Sequence, residues 1–121
     1  MRARYILPNY RIAVVGAGAI GGYYGAKLAY FGRDVHFLMR GDLRQVRRFG
    51  IRVRGKAENF RLAKVNAYGS SEEIGPCDLV LIALKTTANS ELVRLIPPLL
   101  KENTMLLTLQ NGFGNEQFLA E

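Results

Sequence analysis

The segment spanning residues 11–21 constrains the fold of this chain more than any other. An apolar run rich in β-branched residues, 12–15, leads directly into the pattern G-x-G-x-x-G at residues 16–21, and small residues follow at Gly22 and Gly25. The order of strand, glycine turn and helix is the context in which this pattern binds a dinucleotide. The alternative is an ordinary tight strand–helix turn without a ligand, because the bare pattern also arises by chance in glycine-rich loops.

Each glycine of the pattern has a separate expected role. Gly16 lets the backbone turn sharply off the strand, and Gly18 lets a pyrophosphate approach the main chain. Gly21 lets the first helix pack closely against the sheet. The free N–H groups and the partial positive charge of the helix N-terminus then face the phosphates. The predicted pyrophosphate-binding residues are those of the loop: Gly16, Ala17, Gly18, Ala19, Ile20 and Gly21.

Length and composition predict one soluble globular domain. The chain has 121 residues, of which 49% are apolar, so it has room for a cofactor domain but not for a separate substrate domain. No apolar run approaches the roughly 20 residues that span a bilayer, so we expect no membrane segment. Residues 1–10 lack the apolar core of a secretory signal and are interpreted as a tail ahead of a dinucleotide-binding domain at 11–121.

The single cysteine and the single histidine are both predicted to be structural. Cys77 adjoins an apolar strand, where burial would raise the pKa of the thiol, so a nucleophilic role is disfavoured. One cysteine excludes an internal disulfide and indicates a reducing cytoplasm. His36 lies inside a predicted strand, away from the strand ends where a ligand would lie, which favours a structural role over that of a general base. The sequence contains no cluster of Cys and His residues that would indicate a metal site.

Positive charge is concentrated in the first part of the chain. The formal net charge is +7, and residues 1–70 contain 14 basic residues but only 3 acidic ones. Such asymmetry indicates an anionic partner, either a phosphorylated cofactor or a nucleic acid. The glycine pattern favours the cofactor, and we expect no nucleic acid because no aromatic–basic motif is present. Arg52 and Arg54 are interpreted as one solvated strand face.

Strands and helices are predicted to alternate along the chain. The predicted strands are 11–15, 34–39, 51–54, 60–65, 78–84 and 104–109, and the predicted helices are 19–31, 42–49, 88–96 and one that begins at 115. The alternation predicts an α/β fold with a Rossmann-like, doubly wound parallel sheet. The continuously apolar run at 78–84 is typical of a central strand covered on both faces. The two short strands before it are interpreted as an inserted hairpin.

The predicted helix ends carry turn and capping residues. Gly32 and Gly50 are expected to end the first two helices, and Asp42 is a candidate N-cap of the second. Pro97 and Pro98 are expected to stop the third helix.

The residues after the second strand indicate which dinucleotide binds. NAD-binding domains carry a carboxylate about 20 residues beyond the glycine pattern, where it holds the ribose 2′-hydroxyl. No acid occurs at 35–41, and Asp34 lies too early, at the start of the strand. The guanidinium of Arg40 can instead pair with a 2′-phosphate, with Arg44 as an additional candidate, so we predict NADP. The alternative is that Arg40 is a solvated surface residue.

Two later strand ends carry further candidates, since ligands lie beyond the carboxyl ends of such strands. Lys85 follows the 78–84 strand and is expected near the nicotinamide ribose or a substrate carboxylate; a lysine that only extends its charge to solvent is the alternative. Asn111 follows the 104–109 strand and can donate and accept hydrogen bonds at once, toward a ribose and a substrate hydroxyl. A plain Asn-Gly turn is its alternative.

Four segments taken together identify a family. They are the glycine loop and its continuation at 16–25, Leu-Met-Arg at 38–40, Leu-Lys-Thr-Thr at 84–87 and Leu-Gln-Asn-Gly-Phe-Gly-Asn-Glu at 109–116. In this combination the chain, from about residue 11 to its end, resembles the N-terminal domain of the ketopantoate reductase (2-dehydropantoate 2-reductase) family. The glycine loop is shared with many dehydrogenases, whereas the last two segments are far more specific.

The resemblance implies an NADP-dependent oxidoreductase acting on CH–OH groups, which reduces ketopantoate to pantoate in pantothenate biosynthesis. It implies that the loop at 16–21 holds the pyrophosphate and that Arg40 holds the 2′-phosphate. It also implies that Lys85 and Asn111 lie at the nicotinamide end of the cofactor, and that Asn111 reaches the small keto-acid substrate.

The resemblance also implies that part of the enzyme is missing. The family's proton-donating lysine and most substrate contacts come from a C-terminal helical domain, so we assign no catalytic residue within this chain. The domain at 11–121 is expected to be incomplete, the isolated chain inactive, and its uncovered sheet edge prone to homo-oligomerisation. The alternatives are a non-catalytic NADP-binding module and another Rossmann-type 2-keto- or 2-hydroxy-acid dehydrogenase.

Overall fold

The computed structural model describes residues 9–16, 19–55, 58–83 and 90–108, with residues 19 and 20 described by their backbone only. Seven strands are found there: β1 Arg11–Val15, β2 Asp34–Leu38, β3 Ile51–Arg54, β4 Asn59–Leu62, β5 Asn66–Tyr68, β6 Leu79–Ile82 and β7 Met105–Thr108. The helices are α1 Ala19–Tyr30, α2 Leu43–Phe49, α3 Ser71–Ile74 and α4 Leu92–Leu95, followed by a 3₁₀ turn, Pro97–Leu99.

Five of the strands form a parallel sheet in the order β5-β2-β1-β6-β7. The order runs outward from β1 in both directions, which defines a doubly wound sheet and confirms the predicted fold class. β3 and β4 form a separate antiparallel hairpin, in which Arg52 lies opposite Arg61. The inserted hairpin was therefore predicted correctly.

The core lies on both faces of the sheet because successive side chains of a strand point to opposite sides. Ala13 and Val15 of β1 belong to one buried cluster, whereas Ile12 and Val14 belong to the other. All four residues of β6 are buried, as predicted for a central strand. Both faces of the inner strands are thus covered, and the polar ends of these strands are where a ligand can bind.

Several predicted boundaries were wrong. β5 and α3 were not predicted, and β4 ends at Leu62 rather than at residue 65. Asn66–Tyr68 extends because it pairs with β2, whose outer edge has no other partner among the described strands. Asp42 precedes α2 but makes no side-chain capping bond. The third predicted helix does end before Pro97, as expected, since α4 ends at Leu95 and a separate 3₁₀ turn follows at Pro97–Leu99.

His36 and Cys77, which were predicted to be structural, are both buried. His36 is buried; its Nε2 lies 2.8 Å from Oδ1 of Asp34 and its Nδ1 lies 3.0 Å from the hydroxyl of Tyr68. Burial lowers the pKa of His36, so the ring stays neutral, donating to Asp34 and accepting from Tyr68. Cys77 is a buried free thiol whose pKa is raised by burial. Neither group lines the cleft described below.

The outermost strand, β7, is the most exposed part of the sheet. Its side chains Met105, Leu106 and Leu107 are 45%, 52% and 49% exposed. Neighbouring residues of a strand face opposite sides, so both faces of β7 are open. An uncovered edge and association through it stay predictions.

Candidate functional site

A cleft of about 740 Å³ opens at the carboxyl ends of β1 and β2. One wall is the glycine turn with the first turn of α1, including Gly16 and Tyr23. The end of β2 with Arg40, the strand β3, and Glu91 complete the lining. The volume lies within the range of about 300–1,000 Å³ that is usual for small-molecule and cofactor sites. The cleft therefore lies where a doubly wound sheet binds its ligand.

Backbone geometry at the glycine turn agrees with two of the expected glycine roles. Gly16 has φ = +85°, a conformation that other residues rarely adopt, and it directly follows β1. A Cβ atom on Gly21 would fall onto the carbonyl oxygen of Gly16 and lie 2.9 Å from Cβ of Ala83. One turn later, a Cβ on Gly25 would lie 2.5 Å from Cε2 of Phe37. The missing side chains thus allow α1 to pack directly on the sheet.

Arg40 lies at the mouth of the cleft, just beyond β2, as its position in the sequence predicts. Its side chain is 62% exposed, and its Nη2 donates to Oε2 of Glu91 across 2.8 Å. Nη2 of Arg94 lies 3.9 Å from the same oxygen. Glu91 was not predicted as a site residue because it is 51 positions from Arg40. It supplies a carboxylate at the cleft that residues 35–41 lack.

The hairpin contributes two arginines that were not predicted for the site. Arg52 and Arg54 of β3 are exposed, as expected for a solvated face, but they also line the cleft with Arg40. Arg44, the additional candidate, lines a different depression together with Arg47. The structure therefore brings Arg40 together with the hairpin arginines and not with Arg44.

A hydrogen-bonded cluster attaches the hairpin to α1. The hydroxyl of Tyr23 donates to Oε2 of Glu58 across 2.5 Å, and Nζ of Lys27 lies 3.1 Å from the same oxygen. The hydrogen bond from Tyr23 lowers the pKa of Glu58 most, and the bond from Lys27 lowers it further. The carboxylate is therefore charged at neutral pH. Tyr30 also stacks on Phe60, with ring centroids 4.4 Å apart. The hairpin wall is thus held in place beside the glycine turn.

The other predicted site residues are placed only in part. Ala19 and Ile20 begin α1, which agrees with a helix N-terminus after the glycine turn. Ala17, Gly18, Lys85 and Asn111 lie outside the described residues. Within the described part of the chain, no group of three His, Cys, Asp or Glu residues could hold a metal ion. No helix described there is long and apolar enough to cross a membrane.

The cleft combines groups that suit a phosphorylated dinucleotide. The glycines of the turn have no side chains, which leaves room for a pyrophosphate. The start of α1 supplies N–H groups that can bind it. Three arginine residues, Arg40, Arg52 and Arg54, are among those that line the same space. Guanidinium groups match the geometry of phosphate oxygens and keep their charge at all physiological pH values.

Comparisons with known proteins agree with this geometry. The family model described as ketopantoate reductase PanE/ApbA matches residues 12–121. A 2-dehydropantoate 2-reductase of Nostoc sp. is 47% identical over 111 residues, covering 92% of this chain and 35% of the relative. One from Mesorhizobium japonicum is 40% identical, covering 84% of this chain and 32% of the relative. The chain therefore spans about a third of the length of these relatives.

A solved structure is similar over the same region. The 2-dehydropantoate 2-reductase from Geobacter metallireducens is 55% identical with a TM-score of 0.82, over 91% of this chain and 36% of that one. The doubly wound sheet and the glycine turn define a Rossmann-type dinucleotide-binding domain. The family match is more specific: the chain belongs to the ketopantoate reductase family. Family and fold together imply a nicotinamide dinucleotide as the class of cofactor.

Proposed function

We propose that this chain is the NADPH-binding part of an oxidoreductase that reduces ketopantoate, a small keto acid, to pantoate. The observation that carries the proposal is the cleft in which the glycine turn after β1 and Arg40 after β2 line one space. In this arrangement the two ends of one ligand, a pyrophosphate and a ribose phosphate, can be held by adjacent strand ends.

The glycine loop, residues 16–21, holds the pyrophosphate, and Arg40 holds the 2′-phosphate that distinguishes NADP from NAD. Two features support NADP. No acid occurs at 35–41, where a ribose 2′-hydroxyl is usually accepted, and the Glu91 carboxylate at the cleft is already paired with Arg40. The side chain of Arg40 is also exposed. Arg40 can keep its bond to Glu91 while other N–H groups bind a phosphate, because a guanidinium has five donors.

Lys85 and Asn111 are proposed to act at the nicotinamide end, with Asn111 also contacting the keto acid. When bound, the reduced nicotinamide supplies the hydride that converts the substrate carbonyl into a hydroxyl. A lysine ammonium and an amide N–H both stabilise the negative charge that develops on the carbonyl oxygen. A cytoplasmic location is part of the same proposal, supported by the free thiol of the single cysteine.

The test of this function uses the protein as its gene encodes it, because the relatives are about three times longer than this chain. We expect Lys85→Ala and Asn111→Ala each to lower kcat/KM for ketopantoate by about 100-fold, the usual cost of one positioned donor. Their Tm values should match the parent, since both residues are predicted from the sequence to follow strands and not to belong to the core. Unchanged kcat/KM in both variants would contradict the proposed roles.

A further inference from the structure

Arg40 forms an ion pair with Glu91, so the positive charge that it could offer to a phosphate at this end of the cleft is partly neutralised. The two partners lie 2.8 Å apart, so their charges offset each other. A phosphate monoester carries about −1.5 to −2 charges at pH 7. Arg94 lies 3.9 Å from the same Glu91 oxygen but does not line the cleft. With Arg40 as the only cation lining this end of the cleft, Glu91 would offset much of the attraction between Arg40 and the phosphate. A site for this group therefore needs a further cation.

β3 supplies cations on the opposite wall of the same cleft. Arg52 and Arg54 are two positions apart, so their side chains leave the same face of the strand, while Val53 between them is buried on the other face. Both arginines are exposed and both line the cleft with Arg40. Neither takes part in the ion pairs found between described residues.

The hairpin holds these two arginines in place without a ligand. β3 pairs along its length with β4, and Glu58, the residue before β4, accepts from Tyr23 and Lys27 of α1. Arg61, which lies opposite Arg52 on β4, donates to the carbonyl oxygen of Phe49 across 2.7 Å. Because the strand is fixed on two sides, little ordering of its backbone is needed when an anion binds.

We propose that Arg52 and Arg54 are specificity-determining residues that bind the 2′-phosphate of NADP together with Arg40. The inference rests on the cofactor proposed above. With the cleft carboxylates Asp42 and Glu91 included, the charged residues that line the cleft sum to a net charge of about +1, whereas without Arg52 and Arg54 the sum would be about −1 and would repel a phosphate. The hairpin thereby becomes part of the cofactor site, and the preference for NADP depends on residues of β3 as well as on the residue after β2.

The test measures the affinity of the chain for NADPH and for NADH by calorimetry in the parent and in the double variant Arg52→Gln with Arg54→Gln. We expect the double variant to bind NADPH about tenfold more weakly and NADH within a factor of two of the parent. Adenosine 2′,5′-bisphosphate should show the same loss, whereas adenosine 5′-monophosphate should not. Both arginines are exposed, so the Tm should not change.

The matched control is Arg61→Gln, which removes the same charge from the same hairpin at a residue that does not line the cleft. Its effect on NADPH should be less than threefold because Arg61, although it lies opposite Arg52, does not line the cleft, and its Nη2 is already bonded to the carbonyl oxygen of Phe49. An equal loss of NADPH and NADH affinity in the double variant would overturn the inference, as would an equal effect of Arg61→Gln. Equal affinities of the parent for NADPH and NADH would overturn the proposed cofactor as well.

Discussion

Replacing Gly21 by alanine should destabilise this fold by about 2–3 kcal/mol, a fall in Tm of about 10 °C. The added methyl group falls onto the carbonyl oxygen of Gly16 and lies 2.9 Å from Cβ of Ala83. The higher helix propensity of alanine opposes this clash, since alanine is more stable than glycine in a helix interior by about 1 kcal/mol. The clash decides the sign, since neither the backbone oxygen of Gly16 nor the methyl group of Ala83, just after β6, can rotate away. Thermal unfolding followed by circular dichroism measures the change.

Gly41→Ala is the matched control for this prediction. A Cβ there meets no atom within 4 Å, and Gly41 does not have the left-handed backbone of Gly16. Its Tm should therefore stay within about 2 °C of the parent, as for a surface substitution. A stable Gly21→Ala protein with parental Tm would show that α1 does not pack on the sheet as closely as described.

Replacing Arg40 by alanine should weaken NADPH binding by about 10–100-fold and leave NADH binding nearly unchanged. A charge-assisted bidentate contact is worth about 1.5–3 kcal/mol, which corresponds to that range of affinity. The substitution also leaves Glu91 without its close partner, 2.8 Å away in the parent, so its repulsion of the phosphate is no longer offset. Isothermal calorimetry of the parent and the variant with both cofactors measures the difference.

Arg44→Ala is the control for charge alone, because Arg44 belongs to a different surface depression. It should change NADPH affinity by less than threefold, as expected for a screened surface charge. If Arg44→Ala and Arg40→Ala weakened both cofactors equally, the arginines would act through the general positive field of the domain, and Arg40 would hold no particular phosphate.

Local sequence patterns were sufficient to predict most of the central sheet. β1 was predicted with its observed bounds, and β2 and β6 were each located within one or two residues of their observed ends. These strands are fixed by their own apolar residues, which the sheet buries on both faces. Gly32 ends α1 with φ = +88° because glycine adopts this conformation without strain.

The two elements that the sequence did not predict depend on different information. Residues 66–68 form a strand only because β2 lies beside them, and such pairing over about 30 residues leaves no local pattern. α3 did leave a signal: the side chain of Ser70 accepts from the N–H of Glu73, and Glu73 in turn accepts from the N–H of Gly69. This Ser-x-x-Glu pattern resembles a capping box and predicts a helix start.

The cleft residues that follow strand ends were predicted from the sequence. The cleft residues that other elements contribute were not. Gly16 and Arg40 line the cleft because parallel strands all end at one edge of the sheet. Glu91 and the arginines of β3 were not assigned to the site. Their approach depends on how the hairpin packs on α1 and on the pairing of Glu91 with Arg40, 51 positions away, which residue spacing does not encode.

The central claim is that this chain forms an NADP-binding domain, and calorimetric titration of the unmodified chain with NADPH and with NADH tests it most directly. We expect one binding site per chain and at least about tenfold higher affinity for NADPH, the contribution of a charge-assisted phosphate contact. The preference should diminish as salt is raised from 0.05 to about 0.5 M, since exposed charges are screened. Equal affinities for the two cofactors, or no binding of either, would contradict the account.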